Sequence, residues 1–212
     1  MLTVSHPVVI FLLQAAAISL SGVLAPGPIT TATLSLGAGR RHAGAWIALG
    51  HGMVEFPLMC LILAGVGVFM KTRHFQIGVG LAGGIVLVAM AVMMLGSLRR
   101  PAGPAVGSQA TGPLWTGVVL TGGNPYFLLW WATVGLALTT RAIDLGVWAF
   151  VLFALIHWLC DLVWLEFLSV ASFQGAKLLG PRTQVVIQMV CAVAMIGFGA
   201  WFVWDAVWSV VA

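Results

Sequence analysis

Charge is scarce in this chain. Of 212 residues, 9 are Lys or Arg and 5 are Asp or Glu, so only 7% are charged, against about 25% in a soluble domain. With 61% hydrophobic residues, a water-solvated fold and a disordered chain are both excluded. Cysteine is equally sparse. Cys60, Cys160 and Cys191 are odd in number and form no C-x-x-C pair, which excludes a disulfide scaffold and a paired-cysteine electron carrier. They read as small buried hydrophobes. The basic residues stand in separated pairs rather than in one patch interleaved with aromatics, so nucleic acid is excluded as a partner. No cofactor is called for.

What is present is long apolar runs. At roughly 35 residues per span and connection, the chain accommodates about six spans. Hydropathy and helix breakers place them near 8–36, 43–69, 75–98, 113–138, 145–170 and 183–207. The runs are apolar on all faces and lack a period of two, which favours lipid-buried helices over a β-barrel. Val23-Leu24-Ala25 has the small-residue character of a signal cleavage site, but no basic residue precedes the run and Pro26 would follow the cut. That segment is therefore expected to be helix one. The expected fold is all-α, a single integral membrane domain over 1–212. Its halves, about 1–98 and 113–212, are joined by a Pro-, Gly- and Ser-containing loop near 99–112.

Loops after helices one, three and five carry Arg40, Arg41, Arg99, Arg100, Lys177 and Arg182, while the alternate side carries Lys71, Arg73 and Arg141. The positive-inside rule then puts both termini outside the cytoplasm. Three helices per half force the second half to run upside-down relative to the first. The expected architecture is a 3+3 inverted repeat with helix one interrupted at Pro26, Gly27, Pro28 and helix four at Gly122, Gly123, Asn124, Pro125.

Proline inside a spanning helix removes a backbone donor and frees a carbonyl. Helix ends so created present N–H groups to an anion and carbonyls to a cation or ammonium group. Pro26, Gly27, Pro28, Asn124 and Pro125 are thus candidate solute-binding positions. Thr30, Thr31 and Thr33 follow the first interruption but read better as bonding their own helix.

The ionisable residues within spans are the most informative, since a charge at the bilayer centre costs about 2.5–3.5 kcal/mol even on the lenient insertion scale. Helix two carries His51 and Glu55, and helix five carries His157 and Asp161. Residues four apart are offset by about 40 degrees on a helix, so each acid is expected to pair with the histidine on its own face. Burial and a neighbouring imidazolium act oppositely on a carboxyl, which makes proton affinity sensitive to access from either side. All four are candidate proton-coupling residues. The bland alternative is a neutralised pair that locks helix packing.

Glu166 and Asp205 fall near span ends and read as snorkelling to the interface. Gly44, Ala48, Gly52 and Gly80, Gly84 read as close-packing helix faces. Trp46, Trp115, Trp148, Trp201, Trp204 and Trp208 fit an interfacial belt, whereas Trp130, Trp131, Trp158 and Trp164 lie deeper.

Taken in order, Pro26-Gly27-Pro28, Gly39-Arg40-Arg41-His42-Ala43-Gly44, Gly50 and Asn124-Pro125 resemble the lysine exporter (LysE/RhtB) family of amino-acid efflux translocators over essentially the whole chain. The resemblance implies a prokaryotic inner-membrane exporter of amino acids or related metabolites, driven by an ion gradient, and leaves a homodimer open. It places Pro26, Gly27 and Pro28 in the first-helix motif and Asn124 and Pro125 at the start of the second-half motif. Typical members carry a lysine next, where this chain has Tyr126.

The leading functional expectation is proton-coupled export of a small polar or zwitterionic solute. Its runner-up is export of a divalent transition metal bound by His51, Glu55, His157 and Asp161. An intramembrane enzyme ranks third, because His-x-x-x-Glu lacks the fuller H-E-x-x-H pattern of zinc hydrolases.

Overall fold

A computed structural model describes residues 6–97, 112–178 and 180–211. Among these residues the regular structure is entirely helical. Helix α1 (His6–Val23) stops ahead of Pro26-Gly27-Pro28, and α2 (Pro28–Gly39) starts on the second proline, whose missing N–H is no loss at a first helical position. Helix α3 (Ala43–Leu61) runs through a π-helical turn, Ile62–Val66, into the short α4 (Gly67–Met70). Gly65 at φ 101° bends the rod there, a conformation open to glycine but costly for residues with a Cβ. Helix α5 spans Arg73–Ser97. In the second half, α6 (Gly112–Gly122) is followed by α7 (Pro125–Trp130), a π-helical turn Trp131–Gly135 and α8 (Leu136–Asp144). Two long helices close the chain, α9 (Val147–Leu178) and α10 (Gly180–Val211).

Six helical stretches are long and apolar enough to cross a membrane. Their outward faces carry large apolar side chains, with Leu13, Val68 and Val163 each more than two-thirds exposed. Such a surface suits the hydrocarbon of a lipid bilayer. All six tryptophans expected in the interfacial belt are exposed, and Trp130 and Trp131 are buried. The spans differ from expectation mainly at their ends. The fourth continues to Asp144, the fifth to Leu178, and the bend at Gly65 had no proline to announce it. Of the connection expected near 99–112, positions 99–111 lie outside the described residues.

Helix α3 sits between α6 and α9, α1 and α2 lie along α9, and α5 pairs with α10. Small residues set these distances. A Cβ on Gly50 would run into the Leu114 carbonyl of α6, and one on Gly117 would run into the Ile47 carbonyl of α3. The stripe Gly44-Ala48-Gly52 turns toward α9: Gly44 abuts Leu165 and Glu166, Gly52 abuts Trp158, and the Trp158 indole N–H donates to the Ala48 carbonyl at 3.0 Å. Backbone contact this close brings polar groups on α3 and α9 within reach of each other.

Candidate functional site

Where α3 crosses α9, four titratable side chains meet. The His51 Nε2 and the His157 Nε2 each lie 3.1 Å from Glu55 Oε1, and each lies 3.8 Å from Asp161 Oδ2. Glu55 is fully buried and the other three are at most 8% exposed. From the sequence each acid is expected to pair with the histidine on its own face, with the two faces meeting near the midplane; the faces do meet, but the pairing is shared. Glu55 pairs with both rings, while Asp161 stands beyond hydrogen-bond range of either. The reason is that α3 and α9 pack closely enough for His157 to reach across to Glu55.

Each ring is held from behind by a hydroxyl. His51 Nδ1 lies 2.9 Å from Thr121 Oγ1 on α6, and His157 Nδ1 lies 2.7 Å from Ser19 Oγ on α1. Neither hydroxyl was picked out from the sequence. The available signal was no more than a hydroxyl-bearing residue in an apolar run ahead of each proline-containing interruption. A hydroxyl both donates and accepts, so it suits either tautomer of its imidazole. His157 is further clamped by Trp130, stacked at 5.0 Å between ring centres, and by Trp131 edge-on at 5.3 Å. Phe127 meets His51 edge-on at 5.3 Å.

All four titratable residues line one cavity of about 80 Å³, and so do Pro26, Gly27, Pro28 and Asn124. That is room for several water molecules. Pro125 turns away, packing on Gly83 of α5. Helix α2 opens without a side-chain cap. Since Pro28 has no N–H, the first amides of α2 belong to Ile29 and Thr30, and both residues line the cavity. The start of α7 is already capped, because Asn124 Oδ1 accepts from the Tyr126 N–H at 3.1 Å. Tyr126 itself donates to the Ser21 carbonyl at 3.4 Å and stacks near Phe198 and Phe202. Thr31 bonds the Gly27 carbonyl at the start of its own helix, as expected, whereas Thr30 reaches back across the interruption to the Ala25 carbonyl and the buried Thr33 hydroxyl has no hydrogen-bond partner.

Buried oxygens remain without partners here. Glu55 Oε2 and Asp161 Oδ2 make no hydrogen bond, a state that in a low-dielectric interior calls for a proton or cation.

Glu166 and Asp205 lie away from this cluster. Glu166 does not snorkel freely: it pairs with His42 and accepts from the Ala45 N–H at 2.9 Å, capping the first turn of α3 from α9. Nearby, Ser169 donates to the Arg41 carbonyl and Ser172 to the Leu34 carbonyl. These bonds fasten the α2–α3 turn to α9. Asp205 lines a separate cavity of about 500 Å³ that also holds Arg73.

Apolar spans enclosing a polar, titratable cavity define a multi-pass membrane protein built to handle a small solute or ion. The model of the LysE type translocator family matches residues 20–206, and the chain belongs to that family. No curated protein and no solved structure matches the chain.

Proposed function

We propose that this translocator is a secondary active exporter of a small polar or zwitterionic solute, amino acids or their derivatives foremost, coupled to the proton gradient of a prokaryotic inner membrane. The observation that carries this reading is the single cavity shared by the interrupted helix ends and the four titratable side chains. The uncapped amides of α2 favour a carboxylate, and the carboxylates of Glu55 and Asp161 favour an ammonium group or protons. In the cycle, Glu55 and Asp161 exchange protons as the solute leaves.

The same reading takes the chain as a 3+3 inverted repeat with both termini outside the cytoplasm. Its support is an exchange of partners: His51 on α3 is held by a hydroxyl of α6, and His157 on α9 by a hydroxyl of α1. Each half thus supplies the support for the other half's histidine. A homodimer is compatible with this arrangement, which places the cavity within one chain.

Everted membrane vesicles test the proposal. With a proton gradient imposed and a chelator present, wild-type protein accumulates its solute, and Glu55→Gln and Asp161→Asn lose that accumulation. Undiminished gradient-driven uptake by both variants would end the proton-coupling reading. A growth-rescue panel of toxic amino acids and analogues identifies the solute.

A further inference from the structure

The donor atoms around Glu55 match the outline of a four-coordinate metal site. A divalent ion bound tetrahedrally by nitrogen and oxygen at about 2.0–2.2 Å sets its ligands about 3.3–3.6 Å apart. Four of the six ligand-to-ligand edges here are 3.1, 3.1, 3.8 and 3.8 Å, straddling that value. His51, Glu55 and Asp161 offer ligand atoms all within 4.8 Å of one another. His157 stands outside that trio, so collapse onto a central ion requires the two imidazoles to draw together as Glu55 retreats and Asp161 advances.

Three further observations point the same way. Asp161 Oδ2 is buried, lacks a hydrogen-bond partner and faces both Nε2 atoms, which hydrogen bonding among the four groups leaves unexplained. Each imidazole has the outer support typical of a metal-bound histidine, its second nitrogen fixed by a partner. With Nε2 on a metal, Nδ1–H donates to the Thr121 or Ser19 oxygen at the distances already observed. Charge also balances: one divalent ion between two carboxylates and two neutral imidazoles leaves the buried cluster with no net charge.

We infer that His51, His157, Glu55 and Asp161 form a binding site for a single divalent first-row transition-metal ion, with Zn²⁺ and Co²⁺ as suited members of the class. Two imidazoles exclude a hard-cation preference such as Mg²⁺ or Ca²⁺, which take oxygen ligands. The inference concerns the same side chains as the proposed proton exchange but stands apart from it, because it requires only binding.

The experiment uses the full chain purified in detergent. Titration calorimetry with Zn²⁺ is expected to show one ion per chain, and Co²⁺ to give the intense visible bands of a four-coordinate ion. Asp161→Asn, which leaves both histidine bonds to Glu55 in place, is expected to weaken Zn²⁺ binding at least tenfold, and His51→Ala with His157→Ala to abolish it. Thr121→Val is expected to weaken it about ten- to hundredfold. Size-exclusion profiles establish that each variant is folded, and Asp161→Asn serves alone if the double variant is not. Absence of saturable Zn²⁺ binding by wild type, a six-coordinate Co²⁺ spectrum, or unchanged affinity in folded Asp161→Asn overturns the inference. Because uptake in the vesicles is measured with chelator present, failure of metal binding and failure of proton coupling are read separately.

Discussion

Glu55 Oε1 lies as close to His157 Nε2, on a different helix, as to His51 Nε2, one turn away on its own: 3.1 Å in both cases. A single carboxylate oxygen therefore couples α3 to α9 as tightly as it couples α3 to itself. The arrangement makes Glu55 the member of the cluster whose removal is felt most widely.

Glu55→Ala is expected to destabilise the protein by about 3–5 kcal/mol, because it leaves two imidazoles buried without their shared partner. Glu55→Gln, which keeps one acceptor oxygen, is expected to cost clearly less. Thermal unfolding of the purified variants in one detergent gives the comparison. Equal loss in both would mean that the carboxylate's charge, rather than an acceptor oxygen at that position, is what holds the two rings.

The hydroxyl supports should behave as a matched pair. Ser19→Ala and Thr121→Val each leave one Nδ1 without its partner, at an expected cost of about 1–3 kcal/mol. In a double-mutant cycle, Thr121→Val should couple to His51→Ala and not to His157→Ala. Strong coupling to the wrong histidine contradicts the partner assignment.

Helix crossing at Gly50 can be probed against an internal control. Gly50→Ala puts a methyl against the Leu114 carbonyl and should destabilise by about 1–3 kcal/mol. Gly78→Ala, in α5 with open space around it, should be neutral or stabilising by up to about 1 kcal/mol. Melting temperatures of the two variants are expected to move in opposite directions or differ by several degrees.

Glu166→Ala removes the acceptor for the Ala45 N–H and the partner of His42. Loss of a helix cap costs about 1 kcal/mol, and here the effect should be local. Amide exchange is expected to quicken in the 42–47 segment while the Glu55 region stays protected. Uniform quickening along α3 would show that the whole interface with α9 depends on this one side chain.

Much of the molecule was readable from residue order because lipid imposes few choices. A run such as Val147–Gly175 must be a helix where no water satisfies its backbone, and His51 with Glu55 must share a face. What spacing along one helix cannot supply is the contact between helices. The i,i+4 rule therefore gave Asp161 to His157, whereas the close approach of α3 and α9 hands His157 to Glu55. Ser19 and Thr121 escaped notice for a related reason: a lone hydroxyl on an apolar helix ordinarily bonds its own backbone, and only the tertiary fold shows an imidazole waiting for it. Glu166 looked like a surface charge until the start of α3 was seen to end against it.

The bend at Gly65 has a mechanical counterpart. Helix α9 continues without interruption from Val147 to Leu178, while α3, its neighbour across the titratable cluster, is jointed shortly beyond Glu55. Strain applied to this core meets a stiff strut on one side and a pivot on the other. The end of α3 that leads into α4 can swing without dragging the carboxylate along, so the lever arm and the chemistry are mechanically separable.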